Sequence, residues 1–427
     1  MRLRAVRLFY SCTSCRSVPV FASAPHPTTS QPQSSQPQSL RKSRLAKSTS
    51  VAPMIDVTNP HFLCLLRLIS PHHTLYTEMV HANAIIHNVP SASNPSSLYR
   101  FIGDPHPDTV VQLGGSDPEQ IAQAAKIVED VGFREININV GCPSDRVQHG
   151  GFGVVLMKTP AKVAAMLDAI CAHNVHVPVT IKCRIGVDDL DSYEYFYHFL
   201  TTLYSSSLPP PHVIVHARKA WLHGLSPKQN RSVPPLDYER VWRLVRENPA
   251  WMVSVNGGFD TVEKVREGLE RCDGVMIGRK VMDEPMFLQV LDRVSMVCGN
   301  MFLYYHRHTE IHNIPPSSLP SESEIIDCYL DHATTYYRPT QPHALSLSLL
   351  LKPLSMLRTG VAGRRFRRCL DVAMQQGKRE GWTIRRVVDM AMEGAEKVER
   401  ERWKDAREPI AAAASEFTYR RRYGHLD

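Results

Sequence analysis

From Met1 to Ser50 the chain has no aspartate and no glutamate, although Arg2, Arg4, Arg7, Arg16, Arg41, Lys42, Arg44 and Lys47 fall there among serines, prolines and glutamines. An acid-free, arginine- and serine-rich stretch excludes an ordinary folded start. It predicts an organelle transit peptide over residues 1–49, for a mitochondrion or a plastid, with a disordered basic tail on a cytoplasmic chain as the alternative. Long apolar runs are missing too. None reaches the ~18–20 residues that cross a bilayer, so no membrane span is expected. The ten cysteines are scattered, which suits a reduced compartment better than a disulfide framework. Cys12 and Cys15 form a C-x-x-C pair with no second pair and no neighbouring metal-type histidines, so no metal site is expected.

At 427 residues and 43% apolar, the chain is long enough for a barrel of ~250 residues with material left over. Its net charge of +8 permits an acidic partner without requiring one. Short apolar runs recur at Ser50–Met54, Leu75–Met79, Thr109–Leu113, Glu135–Val140, Pro178–Arg184, His212–His216, Met252–Asn256 and Gly274–Ile277. Stretches at helical spacing lie between most of them, such as Pro118–Val131, Pro160–His173, Tyr238–Glu247 and Val262–Arg271. Strands alternating with helices in this number predict an α/β fold, a (β/α)8 TIM barrel over residues 50–295. A doubly wound sheet is the runner-up, but no G-x-G-x-x-G fingerprint follows the first strand.

In such a barrel, chemistry collects at the C-terminal ends of the strands. The fourth run delivers Cys142 there: Ile136, Ile138 and Val140 alternate with Asn137 and Asn139 and lead into Gly141-Cys-Pro, then Asp145-Arg146 and Gly150-Gly-Phe-Gly153. A cysteine in a turn is ordinarily a small core residue. Its company changes that reading. Pro53-Met54, Gln112, Lys182 and His216 stand at or near other strand ends, while Asn256-Gly257-Gly258 and Gly278-Arg279 follow the last two strands, the usual barrel position for a phosphate cradle.

Past Leu288 the alternation stops, and residues 296–323 read as a linker or insertion. Helical spacing returns over Glu324–Arg338, Leu345–Leu357, Arg364–Gln376 and Thr383–Arg402, which predicts a small C-terminal helical domain over 324–405 and a tail over 406–427. Its basic run Gly363-Arg-Arg-Phe-Arg-Arg368 sets Arg364 and Arg367 three apart on one face, and a triple arginine, Arg420-Arg-Arg422, lies in the tail.

The segment Asn139-Val-Gly-Cys-Pro-Ser144 with its glycine-rich continuation resembles the active-site loop of the tRNA-dihydrouridine synthases, and looks most like their DusA-type branch. His216-Ala-Arg-Lys-Ala-Trp-Leu-His-Gly-Leu-Ser-Pro-Lys-Gln-Asn-Arg231 followed by Pro234-Pro-Leu-Asp-Tyr238 is similar to that branch almost letter for letter. The resemblance implies flavin-dependent reduction of uridine to 5,6-dihydrouridine in the D-loop of tRNA, with FMN as cofactor, NADPH as reductant and tRNA as partner of a monomeric enzyme. It implies Cys142 as proton donor, and Pro53, Met54, Gln112, Lys182, His216, Asn256, Gly257, Gly258, Gly278 and Arg279 as flavin-binding residues. It also implies tRNA contacts at Asn139, Lys228, Arg231, Arg364 and Arg367. Two departures stand out: Val57 replaces a common aromatic, and Lys280–Pro285 lacks the usual tyrosine.

The chemistry is consistent with these residue types. Saturating the C5=C6 bond needs a hydride at C6 and a proton at C5 from separately held donors, and a thiol with an ordinary pKa of ~8.5 is a suitable acid near neutrality. A flavin barrel acting on free pyrimidines would need neither the Lys228/Arg231 loop nor the arginine-rich helices. A non-catalytic RNA-binding homologue would have no use for Cys142, Lys182 and His216 together.

Overall fold

The computed structural model describes residues 49–89, 97–293, 318–337 and 345–397. The transit-peptide reading of 1–49 therefore rests on residues outside those described, apart from Thr49, as do most of the 296–323 linker and the whole 406–427 tail. The chain divides into two compact units, the first ending at Ser321 and the second running on from Glu322.

Eight parallel strands close the first unit into a barrel in sequence order: β1 Thr49–Val51, β2 Thr74–His81, β3 Thr109–Gly114, β4 Ile136–Val140, β5 Val179–Arg184, β6 Val213–His216, β7 Val253–Asn256 and β8 Gly274–Ile277. Val51 pairs with Ile277 to shut the ring. The expected (β/α)8 barrel is thus present and the doubly wound sheet is excluded. Inward-facing Ala52, Tyr76, Val110, Ile214 and Met276 pack into one buried cluster, with Met54 against it. These side chains fill the barrel, so it is a packed core rather than a pore.

The surrounding helices start where their sequences say they should. Asp117 accepts from the Gln120 N–H at 2.8 Å, Pro118 opens the helix to Val131, and Gly132 closes it at φ 115°. Ile121, Ala124, Ala125 and Val128 form its buried face. One helix not anticipated is Tyr193–Tyr204, capped by Ser192 and buried through Phe196, Phe199, Leu200 and Leu203.

The second unit contains Glu322–Tyr336, Leu347–Leu351, Gly360–Glu380 and helical residues 384–397. Ile325, Tyr329, Leu330, Phe366, Leu370, Val387 and Val388 are buried in it, and the Tyr329 hydroxyl donates to the Leu350 carbonyl at 2.6 Å. The expected single helix over Leu345–Leu357 is instead broken into Leu347–Leu351 and a 3₁₀ turn, Leu354–Met356. Pro353 explains the break, since it has no N–H to continue the ladder.

At the N-terminal rim of the barrel, Thr49 Oγ1 lies 2.5 Å from His73 Nδ1, and His73 Nε2 lies 3.2 Å from Asp292 Oδ1, both of the latter side chains fully buried. This joins β1 to the segment before β2 and to the closing helix Phe287–Arg293. Burial works to raise the Asp292 pKa, but hydrogen bonds from His73 and Ser70 prevail and lower it. Its stabilising contribution is therefore present above the ordinary carboxylate range and is lost as pH falls through the depressed value. Asp292→Ala is expected to destabilise the barrel by about 1–3 kcal/mol near neutral pH, measured by denaturant unfolding, with the difference from wild type shrinking in acid.

Candidate active site

Asn137 and Asn139 point into the barrel from β4 and are 0% and 8% exposed. Their amides form a directed chain. Asn139 Nδ2 donates to Gln112 Oε1 at 2.8 Å, Gln112 Nε2 to Asn137 Oδ1 at 2.7 Å, and Asn137 Nδ2 to Thr180 Oγ1 at 3.0 Å. This leaves Asn139 Oδ1 aimed at the loop that follows, where it accepts from the N–H groups of Gly141 and Cys142 at 3.2 and 3.0 Å. Because every link is buried, breaking one strands a polar group at a cost of roughly 1–3 kcal/mol.

Cys142 is half-buried, with Sγ 3.5 Å from Ser144 Oγ and its carbonyl accepting from the Val154 N–H at 3.0 Å. The chain returns behind it through Gly153 at φ +69°. A Cβ there would stand 2.4 Å from Val147 Cγ1 and 2.6 Å from the Cys142 carbonyl, so glycine is required. Gln148 Nε2 then donates to the carbonyls of Pro143 and Leu222 at 2.8 and 3.0 Å, fastening this loop to the one after β6.

Lys182, on the strand beside Asn139, is half-buried and donates to Asn256 Oδ1 at 3.1 Å, while Asn256 Nδ2 donates to the Met276 carbonyl at 2.7 Å. Burial, reinforced by the Arg184 charge, pushes the Lys182 pKa down to about 8. His216 is held well below the ordinary histidine range, first by burial and then by Arg184, Lys182, Arg218 and Arg279, so its imidazole is neutral at physiological pH. Lys182, Arg184 and Arg231 all lie within Coulombic range of Cys142.

Beyond them, Gly257 takes φ +113°, and a Cβ on it would stand 2.8 Å from His216 Cδ2. Its carbonyl accepts from the Tyr238 hydroxyl at 2.5 Å. Gly258 follows at φ +77°, and Gly278 comes directly after β8, where a Cβ would be in ordinary contact with Ala52 Cβ and Met54 Sδ at 3.6 and 3.7 Å. Pro53 and Met54 are half-buried after β1. Arg279 is exposed and donates to the Arg231 carbonyl at 3.1 Å, and Arg218 donates to the Pro234 carbonyl.

Lys228 and Arg231 are exposed on a short 3₁₀ turn, Gln229–Arg231, whose shape is set from inside. Fully buried Asn230 donates to the carbonyls of Trp221 and Leu225 at 2.8 and 3.1 Å and accepts from the Trp221 N–H at 2.8 Å. Lys219 Nζ sits 4.1 Å from the Trp221 ring centroid. In the helical unit, Arg364 and Arg367 are both exposed on the helix Gly360–Glu380. Arg367 also donates to the carbonyls of Ser355 and Arg358 at 3.2 and 3.4 Å, a structural duty its sequence did not announce.

The barrel therefore gathers Cys142, Asn139, Gln112, Lys182, His216, Asn256, the glycines and Arg279 at one mouth. The sequence reading missed Asn137, Thr180, Arg184, Asn230 and Tyr238 as supports. Asn137 alone carried a visible signal, a second polar residue alternating with Asn139.

A cysteine loop, a neutral imidazole, a desolvated lysine and two consecutive positive-φ glycines thus meet at the C-terminal mouth of a (β/α)8 barrel, the rim where barrel enzymes place their chemistry. A family model described as dihydrouridine synthase matches residues 50–308, and the chain belongs to that family. Three similar relatives are each named tRNA-dihydrouridine(20/20a) synthase. That of Shewanella oneidensis is 43% identical over 270 residues, covering 63% of this chain and 77% of its own length. Those of Xanthomonas axonopodis pv. citri and Escherichia coli K12 are 49% and 48% identical over 243 and 244 residues, each covering 57% of this chain and 70% and 68% of the relative.

Lys182 yields a prediction about stability. Its folded pKa of about 8 lies below the ordinary ~10.4, so the unfolded chain binds more protons between those values and this residue makes stability rise with pH there. The penalty is complete below pH 8. Lys182→Met is expected to stabilise the cofactor-free protein at pH 7 by roughly 1–2 kcal/mol, after discounting for solvent access. The difference from wild type should fade by pH 10, as followed by thermal unfolding.

Proposed function

We propose that this chain reduces uridine to 5,6-dihydrouridine in the D-loop of tRNA, at the 20/20a positions given in its relatives' names, using bound FMN and NADPH as reductant. The observation that carries the reading is the placement of Cys142, by Asn139, within Coulombic range of Lys182 and Arg231 at the C-terminal mouth of the barrel.

The residues fit a flavin. Gly257 lets the backbone pass close to His216, where a Cβ would stand 2.8 Å from the ring, Arg279 would supply charge for the phosphate, and Pro53, Met54, Gln112 and Asn256 would hold the ring. When bound, reduced FMN supplies the hydride to C6. Lys182 supplies a cation where reduction adds negative charge, and an anion beside it restores the pKa that burial has lowered. His216 is a neutral hydrogen-bonding partner and adds no charge.

Cys142 donates its thiol proton to C5 and is reprotonated from solvent at the half-open mouth, so hydride and proton together complete the saturated bond. A base paired within tRNA cannot reach this site, and the target uridine must be turned out of its loop. Lys228 and Arg231, fixed by Asn230, supply phosphate contacts at the rim, and Arg364 supplies them on the helical unit.

Purified protein should carry a flavin absorbance that NADPH bleaches and unmodified tRNA restores. Cys142→Ala is expected to keep flavin and tRNA binding while dihydrouridine formation falls roughly 10²–10⁴-fold, read by mass spectrometry of tRNA digests; equal product would remove Cys142 from the reaction. Arg364→Ala should weaken tRNA binding and reduce the salt slope of the affinity by about 1, with NADPH-dependent bleaching unchanged. Arg367→Ala should in addition lower the melting temperature of the helical unit, because its carbonyl contacts are lost.

A further inference from the structure

Arg184 ends β5 and is 2% exposed. Among the described residues its guanidinium forms no ion pair with a carboxylate; its partners are main-chain oxygens. Nε donates to the Gly141 carbonyl at 2.9 Å, and Nη1 donates to the carbonyls of Lys219 and Asn230, each at 3.0 Å. Gly141 is the residue before Cys142. Lys219 and Asn230 belong to the loop that presents Lys228 and Arg231. One planar group therefore spans the acid-bearing loop and the cationic loop, and Gln148 makes a parallel bridge between the same two loops through Pro143 and Leu222.

A cation is an expensive way to fill this space. Burial, then Arg231 and Arg218, work against its charge and push its pKa down to about 10, and an apolar side chain of similar volume would avoid that cost. What an apolar residue cannot do is bind three carbonyls from two loops in fixed directions, which the guanidinium fork does.

We propose that Arg184 is a positioning residue that couples RNA docking to the proton donor: phosphates ordering the 217–233 loop fix the Lys219 and Asn230 carbonyls, and Arg184 passes that order to the Gly141 carbonyl and so to Cys142. This rests on the tRNA-reducing function proposed above. The coupling acts on the half-reaction that uses RNA and leaves flavin reduction by NADPH alone.

The test uses the full-length, flavin-loaded protein and the charge-preserving variant Arg184→Lys, which cannot span the three carbonyls. Two rapid-mixing rates are measured, bleaching by NADPH and reoxidation by saturating unmodified tRNA, along with peptide-resolved iodoacetamide labelling of Cys142 and Cys183 with and without tRNA. Cys183 is a built-in control: it precedes Arg184, is fully buried, and has its thiol pKa pushed up to about 12 by burial.

In Arg184→Lys, bleaching should stay within about twofold, while reoxidation falls about 10–100-fold, the scale of a small misplacement of a reacting group. Cys142 labelling should rise severalfold and lose its response to tRNA, with Cys183 unlabelled. Gln148→Ala, which leaves the barrel interior intact, should show the same split more weakly. Equal losses in both rates, labelling of Cys183 in step with Cys142, or unchanged reoxidation in both variants would overturn the proposal. If wild-type protein is not reoxidised by tRNA, the functional reading itself fails, and the labelling response to RNA still decides whether the loops are coupled.

Discussion

The loop that carries Cys142 is placed by a single side-chain oxygen. Asn139 Oδ1 accepts two consecutive backbone N–H groups, those of Gly141 and Cys142, and it can do so only because its amide nitrogen is committed to Gln112. The commitment continues through Asn137 to Thr180, so three adjacent strands determine where the β4 loop begins. A buried amide chain of this kind is costly if incomplete and rigid if complete. Here it is complete, and the loop inherits the precision of the barrel.

The cations at the mouth follow a different rule from those on the outer helices. Lys126 with Asp130, Arg243 with Glu247 and Lys264 with Asp260 are exposed pairs one helical turn apart, worth little each. Lys182, Arg184, Arg218 and Arg279 are held by amide or carbonyl oxygens, and together with burial they keep His216 neutral. Positive charge held by dipoles stays available to an incoming anion, whereas a carboxylate would neutralise it.

The strands and the mouth were legible in the sequence because their signals are local. Alternation of Ile136, Ile138 and Val140 with two asparagines identifies both faces of β4, and the Gly257-Gly258 pair after β7 marks where the backbone turns at positive φ. The helix Tyr193–Tyr204 was not legible: its aromatic-rich composition favours strands, and the decisive spacing of Phe196, Phe199, Leu200 and Leu203 is hidden among surface tyrosines. Arg184 and Asn230 were hidden for another reason. Their partners are main-chain carbonyls contributed by residues up to 46 positions away, and no residue type in the sequence records a carbonyl's direction. The duty of Arg367 toward Ser355 and Arg358 escaped in the same way.

If Cys142 and the hydride source occupy opposite sides of the extruded base, addition across C5=C6 must be trans. A single turnover by enzyme whose flavin has been reduced and then equilibrated in heavy water before tRNA is added settles this, since the exchangeable hydrogen on the reduced flavin and the thiol proton are then both deuterium. Nuclear magnetic resonance of the isolated dihydrouridine should show one deuterium at C5 and one at C6 on opposite faces of the ring. Deuterium on the same face at both carbons would contradict delivery of the C5 proton by Cys142 from the side opposite the hydride.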